Sequence, residues 1–142
     1  MALRNIRIDD YERVIEFWEK TPGIGVSSAD SKEGMERFLI RNKDLSFLWE
    51  EEEMLIGTVL SGHDGRRGFI YHLAVDEAFR NREIAKKLLQ SSLEMLRKQG
   101  IEKCHLFVFD KNELGKDFWK HMDWIQREDI VVFSKDILIH KD

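Results

Sequence analysis

The stretch from Gly68 to Phe109 constrains the fold more than any other part of the chain. Gly68 to Val75 is rich in apolar and aromatic residues and reads as a strand. From Asn81 to Gln99 the residues Ile84, Ala85, Leu88, Leu89, Ser92, Leu93 and Leu96 recur at helical spacing, and Gly100 stands where a left-handed C-cap belongs. Cys104 to Phe109 is then an apolar run short enough for a buried strand. A strand, a crossover helix and another strand require a parallel pair, because antiparallel neighbours are joined by short turns instead.

The rest of the sequence supplies an antiparallel frame. Leu3 to Ile8 reads as a first strand, followed by a helix carrying Val14, Ile15, Phe17 and Trp18 and ending near Pro22. Asp9 with Glu12, and Asp30 with Glu33, have the spacing of capping boxes, the second opening a short helix with Met35, Phe38, Leu39 and Ile40. Between the two helices, Thr21 to Ala29 has the glycines and serines of a shaped loop and is a candidate substrate-facing segment. Leu45 to Trp49, Met54 to Ser61 and Gly68 to Val75 form a meander, with a hairpin signal at Asp64-Gly65, since a type I′ turn needs positive φ at both central residues. Asn112 to Met122 reads as a helix and Ile130 to Leu138 as a last strand. The expected order is β-α-α-β-β-β-α-β-α-β. It describes an α/β (α+β) fold with a mixed, mainly antiparallel sheet, one central parallel pair and four flanking helices.

With 142 residues, one proline, and no repeat or Gly/Ser tract, the chain is expected to form one domain over residues 1–142. Acidic residues outnumber basic ones 27 to 23, without a basic block that would neutralise phosphates, so nucleic acid is not an expected partner. No apolar run approaches the ~20 residues of a membrane span, and the N-terminus lacks a signal-peptide pattern. A single cysteine, Cys104, excludes an intrachain disulfide, and the default compartment is the reducing cytoplasm. His63, His105, His121 and His140 are too scattered for a metal motif, and no metal is expected.

The chemistry concentrates where the strand Tyr71-His72-Leu73-Ala74-Val75 passes through a short loop into the helix starting near Asn81. The first turn of a helix carries amide hydrogens without intrahelical partners and the positive end of the macrodipole, so it attracts a phosphate group. Arg80, Arg82, Lys86 and Lys87 add positive charge.

At these residues the sequence resembles the Gcn5-related N-acetyltransferase (GNAT) family. The family's signature is a strand ending Leu-Ala-Val-Asp followed by Arg/Gln-x-x-Gly-x-Gly/Ala; Arg80 and Ala85 match it and Glu83 does not. A later pattern, Asn-x-x-Ala-x-x-Phe-Tyr-x-x-x-Gly-Phe, falls on Asn112, Gly115, Phe118, Trp119, Asp123 and Trp124, with departures at Gly115, Trp119, Asp123 and Trp124. The resemblance implies an acetyl-coenzyme A cosubstrate and a primary amine acceptor on a small molecule or peptide. It also makes a homodimer an expected state. By position, Leu73, Ala74 and Val75 are expected to hold the pantetheine, and Arg80, Asn81, Arg82, Glu83, Ile84, Ala85 and Lys86 the pyrophosphate. Asn112 and Trp119 complete the coenzyme-binding set. In the mechanism so implied, the amine attacks the thioester directly, strand-end amides stabilise the oxyanion, and a base removes the ammonium proton.

His72 and Tyr71 are the candidate catalytic residues. In a regular strand neighbouring residues face opposite sides, so one of them is expected to line the cleft; His72 is preferred for its unperturbed pKa of ~6.5. A histidine hydrogen-bonded on the opposite face of the sheet is the competing reading. Glu83 places a carboxylate near a bound phosphate unless it points outward, and Trp119 stands where many family members have a proton-donating tyrosine. Those two departures leave open a module that binds coenzyme A or another ligand without transfer. Cys104 reads as an inert core thiol.

Overall fold

The structure is a computed structural model describing residues 2–80 and 83–138. Two compact units are present, Met1–Phe107 and Val108–Asp142. The first holds a five-stranded sheet in the order β1-β2-β3-β4-β5. Its strands are β1 (Ala2–Asn5), β2 (Phe47–Glu51), β3 (Met54–His63), β4 (Gly68–Val75) and β5 (Cys104–His105). The first three pairings are antiparallel and β4 with β5 is parallel. The mixed sheet thus has the single parallel pair that a crossover helix demands.

Helices α1 (Tyr11–Lys20) and α2 (Lys32–Arg41) cover one side of the sheet, and α3 (Ile84–Lys98) covers the other. Alternation along β3 makes the division. Thr58 accepts a hydrogen bond from Trp18 of α1, and Leu60 joins the cluster of Ile6, Val14, Trp18, Met35 and Leu48. Gly57, pointing the other way, meets α3 so closely that a Cβ there would lie 2.8 Å from Leu88 Cδ1. Burying Val14, Trp18, Leu48 and Leu88 completely stabilises this arrangement by about 1.5–3 kcal/mol per side chain.

Several local expectations shift. Asp10, not Asp9, accepts the Arg7 amide at 2.8 Å, and Arg4 holds the same carboxylate at 2.8 Å. Ser31, not Asp30, caps α2 by accepting the Gly34 amide at 3.1 Å. Asp30 instead closes the preceding 3₁₀ turn, Ser28–Asp30, by accepting the Ser27 amide at 3.0 Å. In both places a neighbouring side chain takes the role, Asp10 by reaching back to the Arg7 amide and Ser31 by accepting the first-turn Gly34 amide, which spacing alone does not resolve. The turn with two positive-φ residues is Glu52-Glu53 (φ 50° and 66°), between β2 and β3. At Asp64-Gly65 only Gly65 is left-handed, because the Asp64 carboxylate accepts the Arg66 and Arg67 amides and builds a wider loop.

In the second unit Asn112 caps α4 (Glu113–His121) by accepting the Gly115 amide at 2.9 Å. Asp123 ends it in the left-handed region at φ 69°. Residues 130–138 carry no regular secondary structure, although they were expected as a last strand. β5 ends at His105 instead of Phe109. Both segments have strand-like composition, but β propensity needs a ladder partner to act, and neither has one among the described residues beyond the two β4–β5 pairs.

Candidate active site

Strand β4 is not regular where the chemistry was expected. Leu60 pairs with Tyr71 and Thr58 with Ala74, so His72 and Leu73 together face the single residue Val59. That is a β-bulge, and His72 takes φ 45° to form it. The extra residue turns Tyr71 and His72 toward the same side of the sheet. Tyr71 meets Phe38 of α2 edge-on at 6.0 Å between ring centroids, and the His72 ring lies 4.5 Å from Trp18 of α1. The alternation from which one cleft-lining residue of the pair was expected therefore fails at the bulge.

The bulge is held by a buried hydrogen-bond chain. The Trp18 indole donates to Thr58 Oγ1 at 2.8 Å, and the Thr58 hydroxyl donates to the His72 carbonyl at 3.0 Å, satisfying a group that the ladder no longer pairs. His72 Nε2 lies 3.0 Å from Asp30 Oδ1, with the two side chains 17% and 9% exposed. Burial acts to raise the Asp30 carboxyl, but hydrogen bonds from His72 and the Ser27 amide outweigh it and hold the group below its ordinary range. Burial pushes the Tyr71 phenol up, with Cys104 adding to the effect, so Tyr71 keeps its proton at neutral pH. Burial likewise raises the Cys104 thiol to about 11, which keeps it protonated near neutral pH.

Past Phe69, β4 and β5 no longer pair, so Leu73, Ala74 and Val75 present an edge without a β5 partner. Val75 leads through Asp76 and the 3₁₀ turn Glu77–Phe79 to Arg80, whose Nε donates to the Val75 carbonyl at 3.4 Å. Glu83 precedes α3 at φ 60°, the left-handed region the family's glycine would occupy without strain. Its exposed side chain makes no capping hydrogen bond, leaving the first-turn amides of Ile84, Ala85 and Lys86 uncapped by it. Lys87 lies 5.7 Å over the Trp49 ring and is directed to that side of α3. Asn81 and Arg82 fall outside the described residues.

Sequence reasoning brought Tyr71, His72, Leu73, Ala74, Val75, Arg80, Glu83, Ile84, Ala85 and Lys86 to one strand–turn–helix junction, and the structure places them there. Asn112 and Trp119 belong to the second unit, where Asn112 caps α4 and Trp119 packs edge-on against Phe118 and Trp124. Three supporting residues were not anticipated: Trp18, Thr58 and Asp30. The signal for Asp30 was present in Ser27-x-x-Asp30, a capping-box spacing that frees Ser31 to cap the helix. Among the described residues no three His, Cys, Asp or Glu side chains are grouped to hold a metal, and no helix is long and apolar enough to cross a membrane.

Residues 3–124 match the model of the acetyltransferase (GNAT) family. An acetyltransferase of Photorhabdus laumondii is 31% identical over all of this chain and 99% of its own length. Among solved structures, the PaiA N-acetyltransferase of Thermoplasma acidophilum, in complex with coenzyme A, is similar with a TM-score of 0.72 at 22% identity, covering 85% of this chain and 87% of that one. The aminoglycoside 6′-N-acetyltransferase of Acinetobacter haemolyticus gives 0.77 at 16% identity, covering 96% and 99%.

Proposed function

The chain belongs to the GNAT acetyltransferase family, and on that premise we propose that it moves the acetyl group of acetyl-coenzyme A to a primary amine of a small molecule or peptide. The observation that carries this reading is the junction itself: among the described residues a strand edge without a β5 partner beyond Phe69 leads into a helix whose first-turn amides are not capped by Glu83. Such a junction fits an elongated ligand with an amide-bearing arm and a diphosphate end. Leu73, Ala74 and Val75 bind the arm by backbone hydrogen bonds, as a short added strand would be bound. Ile84, Ala85 and Lys86 hold the diphosphate with amide hydrogens and the helix dipole, and Arg80 and Lys86 add charge. Acetyl-coenzyme A, when bound, supplies an activated thioester.

His72 removes the proton from the acceptor's ammonium group, and the protonated Tyr71 phenol beside it donates a hydrogen bond within the same space. Much of the rate comes from holding donor and acceptor together. Cys104 forms no acyl-enzyme, so transfer is direct between the two bound substrates. The acceptor is held between β4 and the Thr21–Ala29 loop. Release of free thiol from acetyl-coenzyme A across a panel of primary amines tests the reading. Amine-dependent release, with the N-acetyl product found by mass spectrometry, is the expected result. Saturable coenzyme binding without release from any amine would instead show a binding module.

A further inference from the structure

We propose that Asp30 is a positioning residue for acetyl transfer, holding the His72 ring in the tautomer whose Nδ1 receives the acceptor's proton. The proposal rests on the transfer reading above and adds a residue outside the strand–turn–helix junction. Asp30 Oδ1 and His72 Nε2 are 3.0 Å apart. An ionised carboxylate only accepts hydrogen bonds, so the proton between them sits on Nε2. The neutral ring then carries its lone pair on Nδ1, which has no hydrogen-bond partner in the protein among the described residues.

Each side of the pair is braced. Asp30 Oδ2 accepts the Ser27 amide at 3.0 Å, and the Asp30 carbonyl accepts the Tyr11 hydroxyl at 2.7 Å. The ring is fixed by the tilted Trp18 indole and by the Thr58 bond to its own carbonyl. Trp18 from α1 and Asp30 from the turn before α2 contact the ring, Thr58 from β3 holds its carbonyl, and Tyr71 is its neighbour on β4. Trp18 and Thr58 do not titrate, and Tyr71 stays neutral, so Asp30 is the charge that acts on the ring at working pH.

In the step itself, an N–H bond of the acceptor's ammonium breaks and an N–H bond forms at Nδ1. The amine nitrogen keeps the electron pair with which it attacks. The positive charge passes to the imidazole and is balanced by Asp30 across the Nε2 hydrogen bond. Without that carboxylate the imidazolium would form in a largely buried place with no counter-charge, and the base would weaken.

The test compares the parent protein with Asp30→Asn, Tyr11→Phe and His72→Gln. Long-range ¹H–¹⁵N spectra of the histidine rings report the tautomer directly, without turnover. The parent is expected to show His72 with its hydrogen on Nε2. In Asp30→Asn the side-chain oxygen stays on the Ser27 amide and the NH2 group faces the ring, so the hydrogen is expected to move to Nδ1. kcat should then fall about tenfold, and KM for acetyl-coenzyme A should stay the same. Tyr11→Phe loosens the same turn without altering the carboxylate, and should leave the His72 tautomer in place. His72→Gln should lower kcat at least as far as Asp30→Asn. A parent ring protonated on Nδ1, or an Nε2 tautomer unmoved in Asp30→Asn, overturns the role of Asp30. Because the spectra need no acceptor, those results are distinct from failure of the transfer reading, which is absence of thiol release from every amine.

Discussion

At the scale of single residues, the two features that most affect the site are backbone conformations. Glu83 stands at φ 60° immediately before α3, where an L side chain is strained and glycine is not. Glu83→Gly is expected to raise stability by roughly 1 kcal/mol, the strain relief exceeding the extra freedom of the unfolded chain. The same change removes a carboxylate from the turn proposed to hold the diphosphate, so it should also lower Kd for acetyl-coenzyme A; thermal melts and calorimetric titration read the two effects separately. Unchanged affinity would show that the side chain points away from the ligand. Glu52 and Glu53 are both left-handed in a two-residue turn, the geometry that Asn-Gly adopts most readily. Replacing the pair with Asn-Gly should raise the urea midpoint.

Among the elements, β4 is the one whose irregularity does the positioning. Its bulge exists because Thr58, fully buried on β3, bridges the Trp18 indole and the His72 carbonyl. Thr58→Val keeps the shape but strands both of those polar groups, and should cost about 1–3 kcal/mol, measured by urea denaturation. It should also slow transfer more than it weakens coenzyme binding, because it frees His72 and leaves the α3 turn intact. The sequence made much of this legible. The helical period of Ile84 to Leu96 and the apolar run before it placed the parallel crossover, and Arg80 to Lys86 marked the strand–turn–helix junction. The bulge was not legible, since Tyr71-His72-Leu73 reads as ordinary alternation and only the pairing with Thr58 and Leu60 reveals the extra residue. Nor was the Asp30–His72 contact, which joins residues 42 positions apart. Residues 130–138 had strand-like composition, yet composition carries no information about whether a ladder partner is present.

For the molecule as a whole, ion pairs tie the start of the chain to the sheet and set its acid response. Asp10 is buried against Arg4, and Arg4 also reaches Glu50, which Arg13 holds from α1. Burial acts to raise the Asp10 carboxyl, but Arg4 and the Arg7 amide hold it below its ordinary range. A carboxyl lowered by folding contributes stability that is full above its unfolded value of ~3.9 and is lost as pH falls through the lower folded value. Asp30 acts in the same direction. Stability should therefore be level near neutrality and fall in acid below about pH 4, and Asp10→Asn should reduce neutral stability while flattening that decline, as read by urea midpoints against pH. These bonds keep the sheet and α1 in register behind the open edge of β4, where the account places its ligand. Calorimetric titration of the parent protein with acetyl-coenzyme A tests that placement most directly. The account predicts saturable binding at one site per chain, displaced by free coenzyme A; a flat titration at millimolar ligand would contradict it.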